Sequence, residues 1–190
     1  VFKNSYLISV DIEKDELTKK GCKINLPINE NLKVFLPIFY KFLKKAKLND
    51  FSKWNYKCNN LKKSNPMINN SYKKNPIDLY YFMHRVGEIT HKKNILVTDA
   101  GSNYYIGGQV WKFTKGQKEL TSGSNAAMGL TVPLSIGAAV AKPNYQILAI
   151  TGDGSLELNI QELKTISQYK LNIKLFVINN GGYVSMHNWQ

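Results

Sequence analysis

Cysteine and histidine are scarce in this chain of 190 residues, which contains two cysteines and three histidines. Cys22 and Cys58 do not have the spacing of metal ligands, and two cysteines are too few for a disulfide scaffold in a chain of this length. The cysteine content therefore argues against a disulfide-rich secreted protein. It predicts a reducing, cytoplasmic setting.

Long hydrophobic runs are also missing. The longest weakly polar stretch, residues 130–141, contains Thr131, Pro133 and Ser135 and is shorter than the roughly 20 apolar residues that a spanning helix needs. We therefore expect no membrane partner. The 43% hydrophobic residues are nevertheless enough for a buried core, and the length fits one or two domains. Because the chain begins with Val1, has no leader-like segment and carries motifs up to its last residues, we expect a fragment.

Acidic residues are few: 13 Asp and Glu stand against 26 Lys and Arg, which gives a net charge of +13. Residues 41–74 hold ten lysines and the single acid Asp50, so +9 of this charge lies in one segment. Lys, Asn and Ile are enriched along the whole chain, as is typical of an AT-rich genome, and lysine is then a default surface residue. We therefore expect no nucleic-acid partner.

Glycine divides the sequence, because eleven of the thirteen glycines follow residue 100. Before that point, the apolar pattern predicts a strand over 6–12 and a helix over 30–47 that Pro37 should kink or restart. Scattered aromatics among lysines and asparagines then indicate a linker with one short helix. We predict one domain end over 1–47, a linker over 48–74 and a second domain over 75–190.

The second domain alternates predicted helices and strands. Asn75 followed by Pro76 predicts the start of a helix that runs to Ile89, with Leu79, Phe82, Met83 and Val86 on one face. Near-continuous apolar strands alternating with helices are typical of an α/β fold with a doubly wound parallel sheet. The predicted strands are 94–99, 145–151 and 173–178, and the other predicted helices are 102–111, 133–141 and 157–169.

Polar residues and glycines follow each of these strands, at the sheet edge where such folds bind ligands. Gly152, Gly154 and Ser155 lie between a strand and a helix, where backbone amides can meet a phosphate group. Asp153, the Asn180 side chain and a carbonyl of the following Gly-Gly turn are oxygen donors suited to Mg²⁺. Taken singly, a Gly-Asp-Gly sequence is most often a turn without a ligand, and an Asn-Asn sequence commonly does no more than end a strand.

Their order is more specific, because 24 residues separate Gly152-Asp153-Gly154 from Asn179-Asn180. In this pair the chain resembles the thiamine diphosphate enzymes, and most closely the acetolactate synthase (acetohydroxyacid synthase) large-subunit family. The stretches 152–163 and 171–190, together with residues 121–141, also follow that family's pattern. The resemblance covers most of the chain, since residues 1–47 look like the end of the family's central domain and 75–190 like its pyrophosphate domain, truncated at the C-terminus.

The resemblance implies a set of cofactor contacts. Asp153, Asn180 and the carbonyl of Gly182 would bind Mg²⁺, and Met128 would lie beneath thiamine diphosphate and hold it bent; an ordinary core methionine is the alternative. Trp189 matches a residue that lines the acceptor pocket, with plain packing as the alternative. Ala126 stands where the family has glycine, and its carbonyl would contact the aminopyrimidine. The residues that would contact the diphosphate are Ala100, Gly101, Ser102, Asn103, Gly152, Gly154, Ser155, Tyr183 and Val184.

The resemblance places the activating glutamate in an N-terminal domain of a neighbouring subunit, so we expect no catalytic residue in this chain. His84 and His187 are interpreted as structural or exposed, and Glu157 and Glu162 as acids that favour a helix start. Ser102, Val184 and Ser185 differ from residues typical of acetolactate synthases, which leaves the second substrate open.

The implied activity is decarboxylation of a 2-oxo acid, such as pyruvate, and transfer of the two-carbon unit to an acceptor carbonyl. The alternatives are a 2-oxo acid decarboxylase or oxidase, a carboligase of surface-polysaccharide synthesis, and a non-catalytic homologue. The resemblance also implies a homodimer or homotetramer with its active site at the subunit interface. FAD is a possible further cofactor, since Asp11 ends a strand where an adenine nucleotide could lie.

Overall fold

The computed structural model describes residues 4–21, 23–68, 76–90 and 92–189, with side chains up to residue 188. The chain divides into two compact units, Val1–Lys63 and Ser64–Gln190. The finer division at residues 47, 74 and 75 stays a prediction.

The first unit contains a short parallel pair of strands. Strands β1 (Ile8–Asp11) and β2 (Leu26–Asn29) pair with Ile8 beside Leu26, and a 3₁₀ helix (Lys14–Thr18) lies between them in the sequence. Helix α1 (Leu32–Lys45) and helix α2 (Ser52–Ser64) follow. The sequence did not predict β2, whose four residues include a proline and are too few to show an alternating pattern.

Helix α1 differs from its prediction in two ways. It begins at Leu32 because the Asn31 side chain accepts a hydrogen bond from the Lys33 amide at 2.9 Å and so caps the first turn. The expected restart at Pro37 is wrong, since the helix runs through this residue. Proline removes one N–H donor and crowds the carbonyl four residues earlier, but helix α1 continues through it.

The second unit is built on a four-stranded parallel sheet with the order β4-β3-β5-β6. The strands β3 and β5 are central, and β3 is buried along its whole length. The elements are α3 (Leu79–Ile89), β3 (Asn94–Thr98), α4 (Ser102–Val110), β4 (Lys118–Leu120), α5 (Thr131–Ala141), β5 (Gln146–Gly152), α6 (Asp153–Glu157), α7 (Leu163–Gln168), β6 (Ile173–Ile178) and α8 (Val184–Trp189).

Helices cover both faces of this sheet. Successive side chains of a strand point to opposite sides, so each apolar strand presents apolar side chains to both faces. On one face, Leu96 and Leu148 pack with Met83 of α3 and Ile106 of α4. On the other face, Ile95, Val97 and Ile147 pack with Ala138 and Ala139 of α5. The predicted α/β fold with a doubly wound parallel sheet is confirmed.

Several predicted boundaries in this unit are wrong. Helix α3 begins at Leu79, where Asp78 caps the Tyr81 amide, whereas the predicted cap Asn75 lies outside the described residues. The helix expected over 157–169 is divided, since Asn159 has a non-helical backbone (φ −141°, ψ 31°) between α6 and a 3₁₀ turn at Ile160–Glu162. Among the residues described, no helix is both long and apolar enough to cross a membrane.

The edge strand β4, which the sequence did not predict, carries a half-buried acid. Oε1 of Glu119 is buried and has no hydrogen-bond partner among the described residues. Desolvation by this burial raises the pKa of Glu119. The carboxyl group therefore holds its proton more tightly in the folded protein than in the unfolded one.

This shift predicts a pH-dependent effect of Glu119→Gln. When folding raises the pKa of a group, its protonated form stabilises the folded protein at pH values below the unfolded-state pKa. This stabilisation is lost as the pH rises through the folded-state pKa. The neutral amide should therefore stabilise the protein at pH 7, by no more than about 1 kcal/mol because water screens this half-buried group, and should have little effect at pH 4. Urea unfolding at both pH values measures this, with the exposed Glu157→Gln as control. An equal change at both pH values would contradict the assignment.

Candidate functional site

A cavity of about 430 Å³ lies where the strands of the second unit end. Its walls come from the segments after β3, β5 and β6 and from the loop before α5, so residues far apart in the sequence meet at one edge of the sheet. The predicted cofactor and metal residues that line it are Ala100, Gly101, Ser102, Asn103, Ala126, Met128, Gly152, Asp153, Gly154, Ser155, Asn180, Tyr183 and Val184.

The carboxylate of Asp153 joins the ends of β5 and β6. Its Oδ1 accepts a hydrogen bond from the Gly154 amide at 2.9 Å, and its Oδ2 accepts from the Gly182 amide at 2.8 Å and the Gly181 amide at 3.1 Å. Gly181 and Gly182 have φ values of +87° and +77°, which side-chain-bearing residues rarely adopt. The Gly-Gly turn therefore folds its amides onto this carboxylate.

The donor atoms around this turn fit a hard divalent cation. Asp153 and Asn180 line the same cavity and offer carboxylate and amide oxygens, and Gly182 lies next to them through its bond to Asp153. Mg²⁺ prefers such oxygen ligands and keeps some of its coordination for phosphate and water. The described residues contain no group of three or more His, Cys, Asp or Glu that could hold a metal, so an ion here would depend on amide, carbonyl and phosphate oxygens in addition to the Asp153 carboxylate.

Gly154 is required by the aromatic ring that lies over it. A Cβ on Gly154 would lie 2.9 Å from Cε1 and Cζ of Tyr183, and the Tyr183 hydroxyl donates a hydrogen bond to the Gly154 carbonyl at 3.2 Å. Tyr183 itself has a φ of +42°, an uncommon conformation for a residue with a side chain. The bare backbone of Gly154 thus leaves room for the ring at the wall of the cavity.

A buried carboxylate that the sequence analysis missed lies behind the site. Asp99 follows β3, is fully buried, and its Oδ2 accepts hydrogen bonds from the Ser155 hydroxyl at 2.6 Å and the Thr131 amide at 3.2 Å. The Thr151 hydroxyl is 3.5 Å from the same oxygen, and the Asn103 amide is 3.4 Å from Oδ1. The only signal in the sequence was an acid at the end of an apolar strand.

This network changes how Ser155 can contact a phosphate. Its hydroxyl donates its proton to Asp99 and accepts a hydrogen bond from the Gly129 amide at 2.7 Å. The hydroxyl proton is therefore not available to a phosphate oxygen. Ser155 therefore offers its backbone amide, rather than its hydroxyl, to a ligand in the cavity. Asn103 is likewise turned inward, since its side-chain amide donates to the Ile150 carbonyl at 2.8 Å.

The loop before α5 carries Ala126 and Met128 into the cavity. Ala126 has a φ of +46°, the left-handed conformation in which glycine is favoured, which agrees with the glycine that the resemblance leads us to expect at this position. Met128 is 41% exposed and lines the cavity, so it is not the core methionine considered as an alternative. The side chain is placed where a bound ligand would contact it.

The remaining predicted residues are placed differently. The Trp189 side chain lies outside the described residues, and its role in an acceptor pocket stays a prediction. His187 is exposed and absent from the cavity lining, and Nε2 of His84 contacts Glu88 at 3.3 Å on the same helix. Ser185, noted above only for its difference from the resembling family, also lines the cavity, together with residues to which the sequence assigned no role: Tyr105, Ala127, Ile178 and Met186.

Comparison with known proteins agrees with this geometry. Residues 99–190 match the family model described as thiamine pyrophosphate enzyme, C-terminal TPP binding domain. The acetolactate synthase large subunit of Cyanidium caldarium is 33% identical over 189 residues, which are 98% of this chain and 32% of that protein. The acetolactate synthase large subunit of Lactococcus lactis subsp. lactis (strain IL1403) is 30% identical over 190 residues, which are 100% of this chain and 32% of that protein.

A solved structure shows the same fold. The crystal structure of benzoylformate decarboxylase from Polynucleobacter necessarius matches with a TM-score of 0.67 and 18% identity, over 98% of this chain and 34% of that one. The chain thus spans about a third of the length of the curated relatives that it matches. Residues 99–190 are therefore similar to the C-terminal TPP-binding domain of thiamine pyrophosphate enzymes, and nearly the whole chain is similar to acetolactate synthase large subunits.

Proposed function

We propose that this chain forms the cofactor-binding part of a thiamine diphosphate- and Mg²⁺-dependent enzyme of the acetolactate synthase type. The enzyme would decarboxylate a 2-oxo acid, pyruvate in the first instance, and transfer the two-carbon unit to an acceptor carbonyl. The observation that carries the proposal is the convergence of the Gly152-Asp153-Gly154 turn and the Asn180–Gly182 turn on one cavity, joined by the Asp153 carboxylate.

In this proposal the chain binds and orients the cofactor. Asp153, Asn180 and the Gly182 carbonyl hold Mg²⁺, while the backbone amide of Ser155 meets the diphosphate at the start of a helix and the bare backbone of Gly154 lies beside it. The other diphosphate contacts would come from 100–103 and 183–184. Met128 supports the cofactor from the cavity wall, and the Ala126 carbonyl receives the aminopyrimidine. When bound, the cofactor supplies the electron sink for decarboxylation of a 2-oxo acid.

The rest of the active site would come from outside this chain. We propose a homodimer or homotetramer in which a neighbouring subunit contributes the activating glutamate, and a cytoplasmic location on the argument from cysteine content. Trp189 would then border the acceptor site. The sequence differences at Ser102, Val184 and Ser185 leave a decarboxylase, an oxidase, a polysaccharide-pathway carboligase and a non-catalytic homologue as alternatives to be separated by experiment.

We do not extend the proposal to FAD. One Asp11 carboxylate oxygen accepts a hydrogen bond from the Glu13 amide at 2.9 Å, and the Asn29 side chain donates to the Asp11 carbonyl at 3.0 Å. These hydrogen bonds stabilise a local turn, and they give no support for a nucleotide site at Asp11. The absorption spectrum of the purified protein tests for flavin directly.

Product analysis tests the proposed function. The protein from the complete reading frame is incubated with pyruvate, thiamine diphosphate and Mg²⁺, and acetolactate, acetaldehyde and acetate are quantified. Acetolactate is the expected product, and activity should disappear when Mg²⁺ is chelated. The 190-residue chain alone should bind the cofactor weakly and show no turnover, because it lacks the activating glutamate. Acetaldehyde or acetate as the main product would favour a decarboxylase or an oxidase, and absence of cofactor binding by the complete protein would overturn the proposal.

A further inference from the structure

Both backbone polar groups of Gly129 are bonded to side chains from the segment that follows the Gly152-Asp153-Gly154 turn. The Gly129 amide donates to the Ser155 hydroxyl at 2.7 Å, and the Gly129 carbonyl accepts from Nδ2 of Asn159 at 2.7 Å. Gly129 directly follows Met128 and precedes α5, so these two bonds fix the point at which the loop leaves the cavity.

The loop lies too close to this segment for any other residue at position 129. Gly129 has a φ of +80°, and a Cβ there would lie 2.8 Å from the Cβ of Leu158 and 3.1 Å from Nδ2 of Asn159. The close approach brings the carbonyl within reach of the Asn159 side chain. Asn159 can point toward it because its own backbone leaves the helical conformation between α6 and the following 3₁₀ turn.

The two side chains are themselves held in the orientation that this contact needs. The Ser155 hydroxyl donates to Asp99, so its free electron pair faces the Gly129 amide. Oδ1 of Asn159 accepts from Nε2 of Gln161 at 3.3 Å, which turns the NH₂ group of Asn159 toward the Gly129 carbonyl. The contact is therefore oriented on both sides rather than being incidental.

We infer that Asn159 is a positioning residue, which holds the Gly129 peptide and thereby fixes Met128 in the cavity. Asn159 is absent from the residues that line the cavity, so it acts through the loop rather than on the ligand. The inference rests on the proposed function for its consequence in catalysis, because Met128 matters there only if it supports the cofactor. The hydrogen-bond contact itself does not depend on that function.

Two substitutions test this role in the protein from the complete reading frame. Asn159→Asp replaces the donor with a group that repels the Gly129 carbonyl, and Asn159→Ala removes it. Asn172→Asp, on an exposed loop, is the matched control. Asn159→Gln keeps a carboxamide and should restore part of the wild-type behaviour, which separates loss of the donor from loss of the fold.

Hydrogen exchange of the ligand-free protein gives the first measurement. The Asp and Ala variants should speed exchange of the Gly129 amide by about tenfold, because the peptide loses the hydrogen bond at its carbonyl and is then held only by the Ser155 hydroxyl, while β5 stays protected. Unchanged exchange at Gly129, or faster exchange that also extends through β5, would overturn the inference. This measurement involves no cofactor, so it stands even if the wild-type protein proves to have no thiamine diphosphate activity.

Kinetics give the second measurement. Poor placement of Met128 should lower kcat about tenfold and change the Kd for thiamine diphosphate less than about threefold, because the diphosphate contacts are untouched. Parallel loss of kcat and cofactor affinity in the Asn159 variants would contradict a positioning role. Failure of the wild-type protein to bind cofactor would instead count against the proposed function.

Discussion

Replacing Asp153 with asparagine is expected to weaken thiamine diphosphate binding in the presence of Mg²⁺ by about a hundredfold. The substitution removes the one carboxylate among the proposed metal ligands and weakens its bonds to the amides of Gly154, Gly181 and Gly182. Hydrogen bonds to a charged group contribute about 1.5–3 kcal/mol each, so the loss of about 2.8 kcal/mol that a hundredfold represents is a moderate expectation. Titration calorimetry with the complete protein measures it.

Glu157→Gln is the matched control for this experiment, because it removes the same charge from the same helix at an exposed position. Its affinity should remain within about twofold of the wild type, since the charge of an exposed side chain acts through water and contributes little. Equal losses in the two variants would show that net charge, and not the Asp153 contacts, controls binding. An unchanged affinity for Asp153→Asn would remove the main support for the proposed metal site.

Replacing Asp99 with alanine is expected to lower the free energy of unfolding by about 3 kcal/mol. The change leaves the buried Ser155 hydroxyl and the Thr131 amide without their acceptor, and it also opens a cavity behind the site. Each buried donor that is left without its acceptor costs about 1–3 kcal/mol, so two such donors account for the expected loss. Urea unfolding followed by circular dichroism measures the change as a lower midpoint at a constant slope.

Two further variants make the Asp99 result specific. Asp15→Ala alters an exposed acid of the first unit and should leave stability within about 0.5 kcal/mol of the wild type. Asp99→Asn keeps the shape of the side chain but places an NH₂ group where one carboxylate oxygen accepted hydrogen bonds. Its decrease in the free energy of unfolding should therefore lie between those of the wild type and Asp99→Ala. If Asp99→Ala were as stable as the wild type, the network would contribute nothing to folding.

Three strands of the sheet in the second unit could be predicted from the sequence because each is a nearly continuous apolar run. The run Ile173–Ile178 matches its strand residue for residue, and the runs at 94–99 and 145–151 are within one residue at each end. Strand β4 could not be predicted in the same way. It has three residues at the edge of the sheet, and two of them are exposed, so it shows no apolar run.

The cavity could be predicted where neighbours in space are also marked in the sequence. Gly152-Asp153-Gly154 and Asn179-Asn180 follow strands that pair with each other, and the rule that parallel strands present their carboxyl ends at one edge was enough to bring them together. The contacts of Asp99 and Asn159 depend on loops whose paths no local pattern specifies. Their partners lie 56 and 30 residues away in the chain, and only the folded structure shows them.

The order in which the cavity walls occur along the chain has a consequence for synthesis. The segments after β3 and β5 and the loop with Met128 leave the ribosome before the turn at Gly181 and Gly182, whose amides complete the surroundings of Asp153. A nascent polypeptide that ends before β6 has emerged therefore exposes a carboxylate without its amide donors and a cavity without one wall. Under the proposed function, cofactor capture during synthesis would wait until the turn at Gly181 and Gly182 has emerged, and a product terminated in β6 would lack these amides.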